Sequence, residues 1–256
     1  MAKQSQALAR MNRWQRFLVL LLLAAVGLQL YFLLRVFMLR YVDPQSTAFE
    51  RSQISQLLRF EQEFRWHQQW VPAQRIHTSL SRAVITSEDD LFATHDGVQW
   101  QAIEKAWQRN EKMQARANAS GKAPKVVGGS TITQQLAKNI FLTRERTITR
   151  KIKELLLTLQ MEASLSKDEI LQLYINQIYF GRGAYGLESA AKTFFGKSAT
   201  QLTLPECALL AGLPRGPERY SPFKNLPRAI RRRNLVLHRM RESGFLTETE
   251  ELRNAG

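Results

Sequence analysis

The chain has 256 residues, 44% of them hydrophobic, which is enough for one domain with a core and a membrane anchor. Its net charge of +15 predicts an anionic partner: nucleic acid, an acidic membrane surface or a phosphorylated substrate. The single cysteine, Cys207, excludes an internal disulfide, and its apolar surroundings predict a small core residue.

The N-terminal segment predicts a membrane anchor. Residues 1–16 are polar and basic, and residues 17–34 are apolar and uncharged. A bilayer span needs about 20 apolar residues, whereas a cleaved signal peptide has a shorter apolar core and a small-residue cleavage site. We therefore predict a transmembrane helix over residues 17–39, rather than a core helix. The basic flank favours a cytoplasmic N-terminus and a domain facing the periplasm.

Beyond the anchor, residues 40–69 are expected to form a membrane-proximal linker and residues 70–250 a folded domain. Helical spacing predicts one helix ending near Gly97, a second over 98–117, and an apolar core face over 155–165. There is no convincing alternating strand pattern, so the fold class is mainly α.

The C-terminal part contains further helix boundaries. Ser166 and Thr203 each begin a capping box, and a last helix is expected from Pro227 to just before Gly244. The three arginines at 231–233 within it are interpreted as a solvated face or as part of a structural helix near the site. A turn is predicted at three closely spaced glycines: Gly181, Gly183 and Gly186.

An acidic motif, EDDLFATHDG over residues 88–97, is the first candidate site. An acidic triplet alone is more often a helix N-terminus that complements the helix dipole. Phe92 and His95 beside the acids indicate a half-buried site, in which the pKa of a carboxyl group can rise until it serves as a general base.

A second polar segment covers residues 128–154 and reads GGSTITQQLAKNIFLTRERTITRKIKE. Ser130 or Thr131 can cap a helix, with Gln134 as the capping-box partner. Amides, hydroxyls and cations at helix starts are the groups that bind phosphate or pyrophosphate. A solvated polar face is the simpler interpretation of any one of these residues, but not of the whole run after the acidic motif.

Five motifs in order resemble those of glycosyltransferase family 51, the peptidoglycan glycosyltransferases: EDDLFATHDG, GGSTITQQLAKN, RKIKE, KDEILQLYINQIYFGRGAYG and RRRNLVL. Five ordered motifs are far more specific than any one of them. Such enzymes occur alone and as N-terminal modules of class A penicillin-binding proteins. Because no transpeptidase motif precedes Gly256, we expect the monofunctional form.

The resemblance implies a lysozyme-like α-helical glycosyltransferase domain with a smaller membrane-proximal lobe, in addition to one N-terminal transmembrane helix. It implies polymerisation of lipid II by inverting β-1,4 transfer, with release of undecaprenyl pyrophosphate, at the bacterial inner (cytoplasmic) membrane. The expected partners are lipid II and undecaprenyl-pyrophosphate-linked glycan, the membrane, and cell-division or elongation proteins. Nucleic acid is not expected, because no groove-reading motif is present.

This chemistry needs a base for the attacking hydroxyl and cations for the pyrophosphate leaving group. The resemblance implies that Glu88 is the catalytic base. Glu154 is expected to be a second catalytic carboxylate, which positions the cations or helps to hold a divalent ion, Mg²⁺ or Mn²⁺. The residues expected to bind substrate are Asp89, Phe92, His95, Thr131, Gln135, Lys138, Asn139, Arg146, Arg150, Lys151 and Lys153.

Two other functions are compatible with part of this sequence. A lysozyme-like enzyme that cleaves glycan would normally need two carboxyl groups at the scissile bond, and an uncharged glycan needs no phosphate pocket. A membrane-anchored scaffold would bind lipid II without turning it over. The cationic segment disfavours the first interpretation, and the intact set of motifs disfavours the second.

Overall fold

The computed structural model describes residues 12–42, 44, 69–120, 129–143, 145 and 147–256. The chain divides into two compact units, Met1–Val42 and Asp43–Gly256. The predicted linker over 40–69, the basic tail and Arg146 therefore lie largely or wholly outside the described residues.

The described residues of the first unit form one helix, α1, over Arg13–Met38. It begins at a capping box in which Asn12 and Gln15 exchange side-chain-to-backbone hydrogen bonds, so the helix starts before the predicted residue 17. Its most apolar stretch has a mean hydropathy of 2.6, and none of that stretch is buried. The helix is thus long and apolar enough to cross a bilayer.

Where the structure describes it, the second unit is built almost entirely from helices, which confirms the mainly α prediction. Two short strands, β1 (Tyr179–Gly181) and β2 (Ala184–Tyr185), pair antiparallel around the predicted glycine turn. The helices are α2 (Thr78–Glu88), α3 (Trp100–Ser120), α4 (Ile132–Phe141), α5 (Ile148–Ser164), α6 (Lys167–Gln177), α7 (Leu187–Phe195), α8 (Leu204–Gly212), α9 (Pro217–Tyr220), α10 (Leu226–Glu242) and α11 (Glu248–Ala255).

Two predicted boundaries are wrong. Helix α2 ends at Glu88 and not near Gly97, because Asp89 leaves the helical conformation (φ −159°) and the following residues form turns. Helix α10 is not the last helix. After Gly244, which has a positive φ of 73°, Thr247 caps a further helix, α11.

The helices pack in two groups that bring the candidate site together. Helix α2 packs against α8 and α10, and α4 packs against α5 and α6. Leu80, Leu210 and Leu237 are fully buried in the first group, and Leu136 and Met161 in the second. Such burial stabilises the fold by about 1.5–3 kcal/mol for each large aliphatic side chain. Glu88 ends a helix of the first group, whereas the polar residues near 131–138 belong to the second.

Helix α5 is apolar on two faces, and only one of them joins the core. Leu157 and Met161 are buried as predicted. Four other aliphatic side chains lie on a second face at helical spacing and are exposed by 42–82%, so the prediction of a core face holds for part of this helix only. We call this second face the exposed aliphatic face; it consists of Ile148, Ile152, Leu156 and Leu159.

The hairpin turn offers a matched test of glycine packing. Gly186 (φ +74°) would place an added Cβ 2.4 Å from the carbonyl oxygen of Asn176, whereas Gly183 (φ +78°) has open space. Gly183→Ala should cost only the left-handed backbone penalty, about 1–2 kcal/mol. Gly186→Ala should cost about 1–3 kcal/mol more, because backbone must move. Thermal unfolding in detergent measures both; equal destabilisation would contradict the close approach.

Candidate active site

A cavity of about 950 Å³ opens between the two helix groups. It is lined by the end of α2, by α3 and α4, by the segment joining α8 to α9, and by α10. Five residues predicted from the sequence line it, and four arginines add positive charge: Glu88, Asp89, Thr131, Gln135 and Lys138, with Arg109, Arg215, Arg219 and Arg239.

Glu88 is half-buried, and one oxygen of its carboxylate is uncommitted. Its Oε2 accepts a hydrogen bond from Gln135 Nε2 at 3.1 Å, whereas its Oε1 is buried and has no hydrogen-bond partner in the described part of the chain. Burial raises the pKa of Glu88; the Gln135 hydrogen bond and nearby arginines, chiefly Arg215 and Arg232, oppose that rise. A carboxylate with a raised pKa and a free lone pair has the properties of a general base.

Asp89 holds the site together and is itself almost fully buried. Its oxygens accept from His95 Nε2 at 2.9 Å, from Gln99 Nε2 at 2.6 Å and from the backbone N–H of Ile132 at 2.9 Å. His95 Nδ1 accepts from the Gly97 N–H, so its Nε2 carries the proton given to Asp89. Asp89 therefore ties the turn after α2 to the first residue of α4.

Phe92 and His95 lie behind the wall of the cavity and are not among its lining residues. Phe92 is buried and packs edge-on against the His95 ring. Lys167 Nζ lies 4.7 Å from the centre of the Phe92 ring and donates to the His95 carbonyl oxygen. The structure thus assigns these two residues a shape-giving position, and their direct contact with substrate stays a prediction.

Thr131 performs the predicted capping role. Its side chain and that of Gln134 form a capping box at the start of α4. The Thr131 hydroxyl also donates to the Gly97 carbonyl oxygen at 2.6 Å, which adds a second link between the turn and α4.

Positive charge gathers around one buried carboxylate on α5. Glu154, which is 2% exposed, accepts from Arg150 Nη1 and from Lys151 Nζ, each at 2.5 Å. Lys138 lines the cavity; burial lowers its pKa, and the charge of Glu154 opposes that effect. Because three cations surround one acid, this cationic cluster (Lys138, Arg150 and Lys151) keeps a net positive charge.

Apart from Phe92 and His95, four of the predicted ligands that the structure describes do not line the cavity: Asn139, Arg150, Lys151 and Lys153. Asn139 is half-buried on α4 but does not line it. Lys153 is exposed and makes no hydrogen bond or ion pair with any described residue. Their substrate contacts stay predictions.

Arginine 232 is a site residue that the sequence reasoning missed. Although its run was interpreted as a solvated face or a structural helix near the site, Arg232 is 6% exposed and its Nη2 donates to Ser87 Oγ at 2.8 Å. Its Nε donates to the Gly212 carbonyl oxygen at 3.3 Å. The signal was available: Arg232 lies at helical spacing between Ala229 and Val236, which are both buried.

The described residues do not match the expected metal site at Glu154. Both of its oxygens already accept hydrogen bonds from cations. Nor do the described segments contain a group of three or more His, Cys, Asp or Glu side chains that could hold a metal ion. A hard divalent cation needs several oxygen ligands, which this carboxylate alone does not supply.

Comparison with known proteins identifies the family. The transglycosylase family model matches residues 54–241. A biosynthetic peptidoglycan transglycosylase of Bordetella avium is 40% identical, over 92% of this chain and 98% of its own length. A putative transglycosylase of Cupriavidus necator is 39% identical, over 93% of each chain. Penicillin-binding protein 1A of Aquifex aeolicus is 48% identical over 70% of this chain, but the match spans only 23% of its length.

The chain therefore belongs to the transglycosylase family, and it is a peptidoglycan glycosyltransferase of cell-wall synthesis. Its apolar helix α1 is compatible with a membrane anchor.

Proposed function

We propose that this enzyme polymerises lipid II into glycan strands by an inverting β-1,4 glycosyl transfer that releases undecaprenyl pyrophosphate. One observation carries the proposal: Glu88 and the cation Lys138 line the same cavity, and one carboxylate oxygen of Glu88 has no hydrogen-bond partner among the described residues. A glycosidase would pair two carboxyl groups across the bond. Here Asp89, the buried acid of the cavity wall, is engaged by three hydrogen-bond donors. Outside the wall, Glu154 already holds two cations, which suits a phosphorylated leaving group instead.

The reaction needs one proton acceptor and one site for negative charge. The acceptor sugar hydroxyl donates its hydrogen bond to the Glu88 carboxylate and passes its proton there as the new C–O bond forms. The bond between the donor anomeric carbon and the pyrophosphate oxygen breaks, and its electron pair stays on that oxygen. No acid is required, because cations stabilise the charge where it develops.

The cationic cluster is the proposed site for that charge. Glu154 fixes Arg150 and Lys151 in place, so these cations need little reorganisation when the leaving group departs. Lys138 connects the cluster to the cavity, since it interacts electrostatically with both Glu154 and Glu88. Thr131 and Gln135 are proposed to bind or position groups along the same wall.

We propose that the expected divalent cation, Mg²⁺ or Mn²⁺, is held by substrate phosphate oxygens rather than by Glu154, whose oxygens are occupied. No step above depends on it. The assays below, repeated with a chelator, test the requirement. Association with cell-division or elongation proteins stays a prediction.

The first prediction concerns the base. Glu88→Gln should lower lipid II polymerisation by at least about 10²–10⁴-fold, the usual contribution of a general base. Labelled lipid II with gel-resolved products measures this loss, and thermal unfolding checks that the variant is folded. A parallel incubation with polymeric glycan tests the lytic alternative. Near-normal polymerisation by folded Glu88→Gln, or glycan cleavage by the wild-type enzyme, would refute the proposal.

The second prediction separates a site cation from a surface cation. Lys138→Ala should lower kcat by about 10²–10³-fold, as removal of a donor to a developing oxyanion does. Lys224→Ala, at an exposed lysine that does not line the cavity, should change it only slightly. Turnover at saturating lipid II compares the two variants; similar values would show that Lys138 does not contact the leaving group.

We also propose a location: the domain lies on the periplasmic side with the exposed aliphatic face of α5 against the membrane. The basic residues before α1 favour this orientation. Aliphatic side chains exposed along one face, beside the cations Arg150 and Lys151 of the same helix, suit an interface with anionic headgroups.

Engineered cysteines test this location, because the natural Cys207 is fully buried. Ile152→Cys lies on the exposed aliphatic face, and Leu252→Cys on α11 is a matched control that is 68% exposed. In spheroplasts, a membrane-impermeant maleimide should label position 252 at once and position 152 only after detergent is added. Equal labelling would place the face in water, and labelling of neither before lysis would place the domain in the cytoplasm.

A further inference from the structure

Three side chains form a hydrogen-bonded chain from the core to Glu88. Tyr174 on α6 is fully buried, and its hydroxyl donates to Gln135 Oε1 at 3.1 Å. Gln135 Nε2 in turn donates to Glu88 Oε2 at 3.1 Å and lies 3.4 Å from the Ser130 carbonyl oxygen. Tyr174 itself does not line the cavity, so it reaches the carboxylate only through Gln135.

The orientation of the Gln135 amide matters for the charge state of Glu88. In the observed orientation each contact joins a donor to an acceptor. If the amide turned over, its carbonyl oxygen would face two acceptors, the Glu88 carboxylate and the Ser130 carbonyl. The Tyr174 hydroxyl would lose its only acceptor among the described residues, and a buried donor left unsatisfied costs about 1–3 kcal/mol.

We propose that Tyr174 is a positioning residue for the base: its buried hydroxyl fixes the Gln135 amide so that Gln135 donates a hydrogen bond to Glu88. The inference rests on the proposed role of Glu88 as the base. An N–H donor stabilises the ionised carboxylate, which can take a proton, whereas a carbonyl oxygen in its place would stabilise only the protonated acid.

The electrostatics of the three residues agree with this geometry. Burial raises the pKa of Tyr174 well above its ordinary value, and the charges of Glu88 and Asp89 add to the effect, so the phenol keeps its proton. For Glu88, burial raises the pKa and the Gln135 hydrogen bond is the first influence opposing it. Loss of the donor should therefore raise the Glu88 pKa further.

Other groups that face Glu88 would remain in a Tyr174 variant. Arg215 precedes α9, Arg232 and Arg239 belong to α10, and Lys138 belongs to α4; all four are positively charged and interact with Glu88. Asp89 follows Glu88 in the chain and keeps its own three donors. A change in the titration of Glu88 can then be attributed to the amide.

Tyr174→Phe in the full chain is the direct test, because it deletes one oxygen and preserves the ring. The acid limb of the pH profile of kcat/KM for lipid II polymerisation should move to higher pH. A shift of one unit would appear as about a tenfold loss on that limb that recovers at high pH. Tyr179→Phe is the matched control, since its hydroxyl faces the Gly183 N–H in the hairpin; its profile should be unchanged.

Gln135→Met is a second variant, whose result can be interpreted even if the Tyr174→Phe enzyme does not fold. It removes the amide at similar volume and should also move the acid limb upward, and adding Tyr174→Phe to it should cause no further shift. An unshifted Tyr174→Phe profile, a loss equal at every pH, or an unshifted Gln135→Met profile would overturn the inference. These results differ from failure of the proposed function, which would appear as a polymerising Glu88→Gln enzyme.

Discussion

The carboxylate of Asp89 is the interaction on which the site depends. Two side chains from the turn that follows α2, and one backbone N–H from the start of α4, donate to its two oxygens. Hydrogen bonds to a charged group contribute about 1.5–3 kcal/mol each, so these three bonds offset part of the cost of ordering the turn. By joining the two helix groups, Asp89 places Glu88 at the end of α2 on the same cavity as Lys138 of α4.

The ionised Glu88 carboxylate at the cavity lowers the stability of the fold, which other parts of the fold must offset. Burial raises the pKa of Glu88, so the folded chain binds that proton more tightly than the unfolded chain does. The carboxyl group therefore favours folding at low pH, and this contribution is lost as the pH rises through the folded-state pKa. Around neutral pH the ionised base is a stability cost, which the nearby arginines and Gln135 reduce. A half-buried reactive carboxylate therefore lowers the free energy of unfolding, as reactive groups do in many enzymes.

Much of this arrangement could be predicted from the sequence, because the signals were local. Capping boxes at Thr131, Ser166 and Thr203 fixed helix starts through short-range hydrogen bonds. The length and apolarity of α1 predicted an anchor without any tertiary information. The pairing of an acidic motif with a cationic segment predicted that Glu88 and Lys138 would share a cavity.

The features of the site that the sequence did not predict depend on contacts between segments that are distant in the chain. Helix α2 ends at Glu88 because Asp89 turns its carboxylate toward Ile132, a residue 43 positions away. Arg232 is buried because Ser87 and Gly212 accept its donors, and neither is near it in sequence. Phe92 and His95 pack behind the cavity wall because Asp89 and Lys167 hold them there. Helical periodicity alone cannot reveal such partners, although it placed Arg232 on the buried face of α10.

The most direct test of this account is an experimental structure of the full chain with a donor analogue whose anomeric carbon–oxygen bond cannot be transferred. The account predicts pyrophosphate oxygens in contact with Lys138 and the cationic cluster. It also predicts that Glu88 lies on the face of the anomeric carbon opposite the pyrophosphate, where the acceptor hydroxyl attacks. Pyrophosphate bound away from Lys138, with Glu88 facing no part of the transferred sugar, would contradict it.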